Sequence, residues 1–374
     1  MRSSIIYVSD ATLPSRSAAT IQTLKMCEAF AKMGFEVLLY IRLMESDVVD
    51  YFEYYGISHE FAIVPIKSAD MNKPSNDSFA EAVLRSVKMS SRDIVLAYGR
   101  HAHSLFLLSS LNFPVAFEAH QWPSLSGMLL QQKLFQRSAF TKLVVISDAL
   151  RERYLREFLE LLHGKIALAR SGASPPSSMT DLSKSRKKCE FVGYMGSLYP
   201  GRGIDLLVSC ARELPQLTFR IAGGSDGEIS ALCGETMVPR NVVGLGYVSP
   251  KLAASMIDSF DIAVAPYDTQ VFTKVGNEIS QWASPMKLFE YMSRRKAIIT
   301  SDLPIIREII RDGENGLLAK AGDTGSFVTK ILMAASDGHL RQAISSRAFL
   351  DFMANYTWDR RAENILAGIG LSIV

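Results

Sequence analysis

The stretch Ser284-Pro285-Met286-Lys287-Leu288-Phe289-Glu290-Tyr291-Met292 decides how this chain is read. It predicts a helix beginning at Pro285, because proline suits a first helical turn, where no intrahelical N–H is needed. The open N–H groups of such a turn point outward and attract anions. Lys287 adds a full positive charge there, and Glu290, three residues on, shares its face. N–H donors, a cation and an acceptor-only carboxylate suit a sugar nucleotide, with diphosphate on the donors and ribose hydroxyls on the carboxylate. The stretch also reads as an ordinary amphipathic helix with surface Lys and Glu. A second acidic residue, Glu308, follows in Leu303-Pro304-Ile305-Ile306-Arg307-Glu308.

Working outward, apolar runs alternate with helical stripes. Predicted strands cover Glu190–Met195, Thr218–Ala222, Val242–Gly244, Asp261–Ala265, Ala297–Thr300 and Gly316–Ala319. Helices are predicted over Ile204–Glu213, Pro285–Arg294 and Thr324–Ser336. The first half has the same rhythm, with predicted strands Ile5–Val8, Glu36–Ile41, Asp93–Tyr98, Val115–Glu118 and Lys142–Ser147, and a helix over Ala18–Met33 ended by Gly34. The alternation predicts an α/β chain with parallel sheets covered on both faces. Between the halves, Ser171–Ser178 is rich in turn formers and Lys184–Lys188 is a basic run, which reads as a linker. The expected division is 1–175 for a first domain with 356–374 packing back on it, 176–188 for the linker and 189–355 for a second domain. Two doubly wound domains facing across a cleft bind ligands at the carboxyl ends of their strands.

Composition narrows the function. A chain of 374 residues with 48% hydrophobic and 21% charged residues is an ordinary globular protein, long enough for two domains. A net charge of +3 is too small to argue for nucleic acid. The four cysteines form no C-x-x-C pair and suit a reducing compartment, and the six histidines show no metal-ligand spacing, so no metal is expected. Ile5-Ile6-Tyr7-Val8 reads as a buried strand rather than a signal peptide, and no apolar run approaches about 18 residues. A cytoplasmic location is expected.

Four further segments hold candidate chemistry. Gly196-Ser197-Leu198-Tyr199-Pro200-Gly201-Arg202-Gly203 joins a predicted strand to a helix, and Arg202 could fork onto phosphate oxygens; a plain Gly-rich turn is the alternative. Phe117-Glu118-Ala119-His120 ends a strand where His120 could meet a substrate hydroxyl, and a hydrogen-bonded structural histidine fits equally. Arg100-His101-Ala102-His103 has the same standing. Pro14–Thr20, with Ser17, reads as an anion-facing loop or a plain N-cap, and Gly244-Leu245-Gly246-Tyr247-Val248 as a base-facing edge or a β-turn.

In this order the motifs resemble family 4 glycosyltransferases, retaining enzymes (EC 2.4) with the two-domain GT-B fold. The likeness spans nearly the whole chain and is strongest from about Phe191 to Gly322. The segments "YMGSLYPGRGIDLL", "GLGYV" and "SPMKLFEYMSRRKAIITSDLPIIREII" with "DGENGLLAKAGD" are similar to the family's donor half, close to a bacterial surface-polysaccharide subgroup. "LPSRSAATIQTLKMCEAFAKMGFEVLLY" and "FEAH" are similar to its acceptor half. The resemblance implies that Arg202 and Lys287 clamp the diphosphate and that Glu290 binds ribose. It implies that Gly196, Ser197, Gly203, Ser284, Pro285 and Met286 line the donor site, that Tyr247 and Val248 flank the base, and that His120 touches the transferred sugar. Ser17, Arg100 and His101 would lie on the acceptor side. Catalysis would rest on His120, Lys287 and Glu290, with a UDP- or GDP-sugar as co-substrate, no metal, and domain closure over the reactants. The family's first glutamate of its spaced pair is Trp282 here, its phosphate-loop arginine is Ser197, and its first-loop glycine pair is Ser17-Ala18.

The implied reaction moves a sugar to a hydroxyl of a glycan or lipid-linked acceptor in cell-surface polysaccharide assembly. The other readings are a sugar-nucleotide epimerase of the same fold and a non-catalytic partner of a glycosyltransferase. Leu150–Leu162 mixes Arg with Leu and Phe, which suits peripheral membrane contact or a helix packed on its own core.

Overall fold

The computed structural model describes residues 3–44, 50–66, 75–178, 188–234, 236–272, 276 and 278–371. The chain divides into two compact units. One joins the segment up to Arg170 with the segment from Trp358 onward, and the other runs from Ser171 to Thr357.

In the first unit the strands are β1 (Ser4–Val8), β2 (Thr12–Leu13), β3 (Glu36–Ile41), β4 (Leu43–Met44), β5 (Ala62–Pro65), β6 (Ile94–Gly99), β7 (Val115–Ala119), β8 (Phe140–Val145) and β9 (Ile166–Leu168). Among the described residues, seven form one sheet in the order β5-β3-β1-β6-β7-β8-β9, and its pairings are parallel. Every residue of β1 and β7 is buried, which is why these strands read as continuous apolar runs rather than alternating ones. The final helix, Trp358–Ile369, packs on the helix Ala18–Lys32 and on β8, burying Trp358, Ile365 and Leu366.

The second unit holds β10 (Phe191–Met195), β11 (Thr218–Ala222), β12 (Val242–Gly244), β13 (Ile262–Ala265), β14 (Ala297–Ser301) and β15 (Leu317–Ala319). They form a parallel sheet in the order β12-β11-β10-β13-β14-β15. On one face Val192, Ile262 and Ile299 pack with Leu207, Cys210 and Phe327. On the other, Ala263 and Ile298 pack with Leu288, Phe289 and Met292 of the helix Met286–Ser293 and with Phe349 and Phe352 of the helix Gly338–Asn355. That burial orients the helix Met286–Ser293 so that its first turn lies near the carboxyl ends of β10 and β13. Tyr291 fixes it further, its hydroxyl accepting the Met195 N–H at 2.9 Å.

The structure departs from the sequence reading in several places, among them β8, which runs Phe140–Val145 rather than Lys142–Ser147. Pro285 is the residue before the helix, not its first turn, and the helix runs Met286–Ser293. The short strands β5 and β9 and the helix Gly338–Asn355 carry weak sequence signals, the strands because they are half-exposed edges. The expected linker 176–188 falls largely on residues 179–187, outside the described residues. Its approach does not behave as a spacer. Ala173 is buried in the core of the second unit and its N–H donates to the Tyr356 carbonyl at 3.0 Å, so the division comes at Arg170/Ser171.

Candidate functional site

In the second unit a cationic cluster forms where β10 and β13 end. Lys287 Nζ lies 3.9 Å from the centre of the Tyr194 ring and 5.1 Å from that of Tyr267. The Arg202 guanidinium lies 5.5 Å from the same Tyr267 ring. The two cations therefore share one aromatic wall, the arrangement cation–π attraction favours. Lys287 Nζ is buried and has no hydrogen-bond partner among the described residues. Burial first, then Arg202, pushes its ammonium well below the ordinary 10.5, against the pull of Glu290. Burial pushes the Glu290 carboxyl up to about 7, against Lys287. A buried ammonium beside a second cation is costly unless an anion compensates it.

Glycines build the pocket in two ways. At Gly196, with φ +147°, an added Cβ would stand 3.0 Å from Lys287 Nζ, so the missing side chain lets the lysine tip settle against the backbone. At Gly201 and Gly203 the close neighbours are protein backbone, the carbonyls of Gln270 (2.0 Å from an added Cβ) and Pro266 (1.9 Å). These two glycines lock the loop onto the segment after β13 rather than opening a cradle. The helix Met286–Ser293 has no side-chain cap; Leu288 N–H is met by the Pro285 carbonyl at 3.0 Å. The N–H groups of Met286 and Lys287, in the first turn, have no intrahelical acceptor. Ser284 uses its hydroxyl to accept the Ser171 N–H at 2.9 Å. The Ser197 carbonyl accepts from the Tyr194 hydroxyl at 2.7 Å. Val248 is half-buried against the core and Tyr247 is exposed at 42%.

In the first unit a second cluster surrounds Glu118. Its side chain is fully buried and pairs with Arg361, whose Nη1 donates to Oε2 at 3.3 Å while Nη2 stands 3.2 Å from Oε1. Gln22 Nε2 donates to Oε1 at 2.7 Å, the Tyr98 hydroxyl donates to Oε2, and His120 Nε2 contacts Oε1. Burial alone would push this carboxyl up, but Arg361 first, then His120 and Arg100, hold it well below the ordinary 4.5. Burial and then Arg100 push the His120 imidazole down to about 4, against Glu118. His120 is therefore neutral near pH 7.

The acceptor-side candidates look different. His101 is buried, caps the helix Ala102–Leu108 by accepting from Ser104 N–H at 3.3 Å, and meets Arg42 Nη2 at 3.3 Å through Nε2. Burial, then Arg42, pushes it down to about 4. Its two nitrogens are engaged inside the unit. Ser17 caps the helix Ala18–Lys32, accepting from Ala19 N–H at 3.1 Å. Arg100 stands at the end of β6 with its N–H on the Val8 carbonyl at 3.0 Å. The helix Asp148–Leu162 buries Leu150, Tyr154, Phe158 and Leu162 in its own core, one of its two readings, with Leu159 exposed. No helix among the described residues is long and apolar enough to cross a membrane.

Sequence reasoning missed Tyr194, Tyr267, Tyr98, Gln22 and Arg361. Arg361 had a readable signal: Trp358, Arg361, Ala362 and Ile365 fall on one helical face, so a charge sits inside an apolar stripe. The tyrosines had none, because a buried aromatic at a strand end looks like core.

Residues 190–337 match the family described as Glycosyl transferases group 1. A D-inositol 3-phosphate glycosyltransferase of Mycolicibacterium vanbaalenii is 26% identical over 200 residues, covering 49% of this chain and 41% of that protein. The chain thus matches less than half the length of that curated relative. Among solved structures, a sucrose-phosphate synthase from Thermosynechococcus elongatus superposes with a TM-score of 0.71 at 16% identity, covering 97% of each chain. The Anabaena protein HepE, solved with UDP and glucose, gives 0.70 at 15% identity, covering 99% of this chain and 100% of that one. The two Rossmann-like units are those of the GT-B fold.

Proposed function

We propose that this chain is a retaining glycosyltransferase that takes a sugar from a nucleoside diphosphate and passes it to a hydroxyl of a glycan or lipid-linked acceptor, in cell-surface polysaccharide assembly. The carrying observation is Lys287: a buried ammonium without a hydrogen-bond partner among the described residues, on the same aromatic wall as Arg202. Such a pocket calls for an anion of more than one charge. The open N–H groups of Met286 and Lys287 would add donors to it, and Glu290 would take the ribose hydroxyls. The match of residues 190–337 to Glycosyl transferases group 1 and the UDP and glucose held by HepE support a UDP-sugar.

In the proposed reaction the bond from the anomeric carbon to the β-phosphate oxygen breaks. The bond to the acceptor oxygen forms on the same face, and the departing diphosphate takes the acceptor proton. Lys287 and Arg202 stabilise the charge that develops on that diphosphate. His120, neutral and partly open, would orient a sugar hydroxyl.

Thermal denaturation with UDP, GDP and ADP tests the reading. One of them is expected to raise Tm, with about 2.7 kcal/mol gained at a hundredfold excess over Kd, and Lys287→Met is expected to remove the shift. If none of the three moves Tm, the assignment falls.

A further inference from the structure

We propose that Arg361 is the positioning residue of the His120 site: by pairing with Glu118 it keeps that group a carboxylate, which holds the imidazole proton on Nε2 and leaves Nδ1 as the hydrogen-bond acceptor. That Nδ1 then meets a sugar hydroxyl rests on the glycosyl-transfer reading above; the proton assignment does not.

The geometry fixes the tautomer. A neutral imidazole carries one N–H, and an ionised carboxylate only accepts. His120 Nε2 contacts Glu118 Oε1 more closely than it approaches the Gln22 amide nitrogen, 3.3 Å away, and that amide already donates to Oε1 at 2.7 Å, so the carboxylate contact places the proton on Nε2. Nδ1 has no protein partner among the described residues, and the ring is 14% exposed, so Nδ1 is the nitrogen that can face a ligand.

Besides Glu118 itself, on β7, the groups around this pair come from four elements. Gln22 and Cys27 lie on the helix Ala18–Lys32 and Tyr7 on β1. Tyr98 lies on β6, with Arg100 just beyond it, and Arg361 comes from the final helix. Gln22 and Tyr98 are neutral donors to Glu118. Of the two arginines, Arg361 is the one in ion-pair contact with Glu118. Its own position is set by Nε donating to the Arg170 carbonyl at 3.0 Å. Without Arg361 a fully buried carboxylate would favour its protonated form. A protonated Glu118, already receiving hydrogen bonds from Gln22 and Tyr98, would have His120 Nε2 as the acceptor for its own proton. The imidazole proton would then move to Nδ1, and the ring would offer a donor where it had offered an acceptor. The returning C-terminal helix thereby sets the chemical face of a histidine that follows β7.

The test uses the full chain labelled with 15N-histidine, ligand-free at neutral pH, in long-range 1H–15N spectra. His120→Asn identifies the His120 signals. Wild type is expected to show pyridine-type Nδ1 and pyrrole-type Nε2. Arg361→Met is expected to invert or mix that pattern, and Arg361→Lys to keep it largely intact. Wild-type protein protonated on Nδ1, or folded Arg361→Met with the wild-type pattern, would overturn the proposal. Should Arg361→Met not fold, Glu118→Gln is the near-isosteric second variant: a mixed pattern supports the inference and an unchanged one overturns it. With a nucleotide-sugar substrate in hand, Arg361→Met is expected to lower kcat by about tenfold with little change in the KM of that substrate. Activity that survives an inverted tautomer refutes the positioning role. A chain that binds no nucleotide sugar refutes glycosyl transfer while the spectra still decide the tautomer.

Discussion

Glu290→Gln should stabilise the ligand-free protein while weakening its hold on nucleotide. The carboxyl is shifted from the ordinary 4.5 to about 7, chiefly by burial. Because its folded pKa is raised, the native state binds the proton more tightly than the unfolded chain. Stability from this group is therefore fully present below about pH 4.5, declines as pH rises toward 7, and is lost above it. At 1.36 kcal/mol per tenfold the shift corresponds to about 3 kcal/mol. Glutamine mimics the neutral carboxyl, so at about pH 8 the variant should gain up to about 3 kcal/mol, and at about pH 4.5 close to nothing. Some of the gain is offset, since Glu290 is also the anion that favours the charged form of Lys287. For a unit of this size the full gain raises Tm by about 6–12 °C. Denaturant melts at the two pH values, with and without nucleotide, measure both effects. Equal stability changes at both pH values, or a loss at the higher one, would refute the burial account of Glu290.

Three further outcomes follow from the same pocket. Nucleotide affinity should weaken as pH falls below about 7, where Glu290 must release a proton to accept ribose hydroxyls. Calorimetry in buffers of different ionisation heat reads that proton, and a flat affinity from about pH 5 to about pH 7 contradicts it. Gly196→Ala should cost about 1–3 kcal/mol for its positive φ and displace Lys287, so nucleotide binding should fall with it; unchanged affinity in the folded variant would show that Lys287 does not need this approach. Tyr291→Phe leaves the Met195 N–H without its acceptor and should lower stability by about 1–3 kcal/mol in urea melts; a neutral result would mean that water replaces the hydroxyl.

What could be read from sequence and what could not follows from the length scale of each signal. The strand Thr218–Ala222 and the helices Ile204–Glu213 and Thr324–Ser336 match their predicted bounds, because buried parallel strands and amphipathic helices announce themselves over contiguous residues. Lys287, Arg202 and Glu290 were legible as chemistry for the same reason, each sitting in a local strand–loop–helix pattern. The surroundings that give them their properties were not. Tyr267 joins the pocket from the segment after β13, and Tyr194 reaches it from β10, so their contact with Lys287 exists only once the sheet is assembled. Glu118 and Arg361 are still further apart, 243 residues along the chain, and neither explains its own burial. Each buried charge in this chain is intelligible only with its partner. Glu118 has an ion-paired partner in Arg361, whereas Lys287 feels Glu290 only through space and has no hydrogen-bond partner among the described residues. That asymmetry separates the two clusters: the first is ion-paired within the protein, and the second leaves a buried ammonium without a hydrogen bond, for the proposed diphosphate to complete.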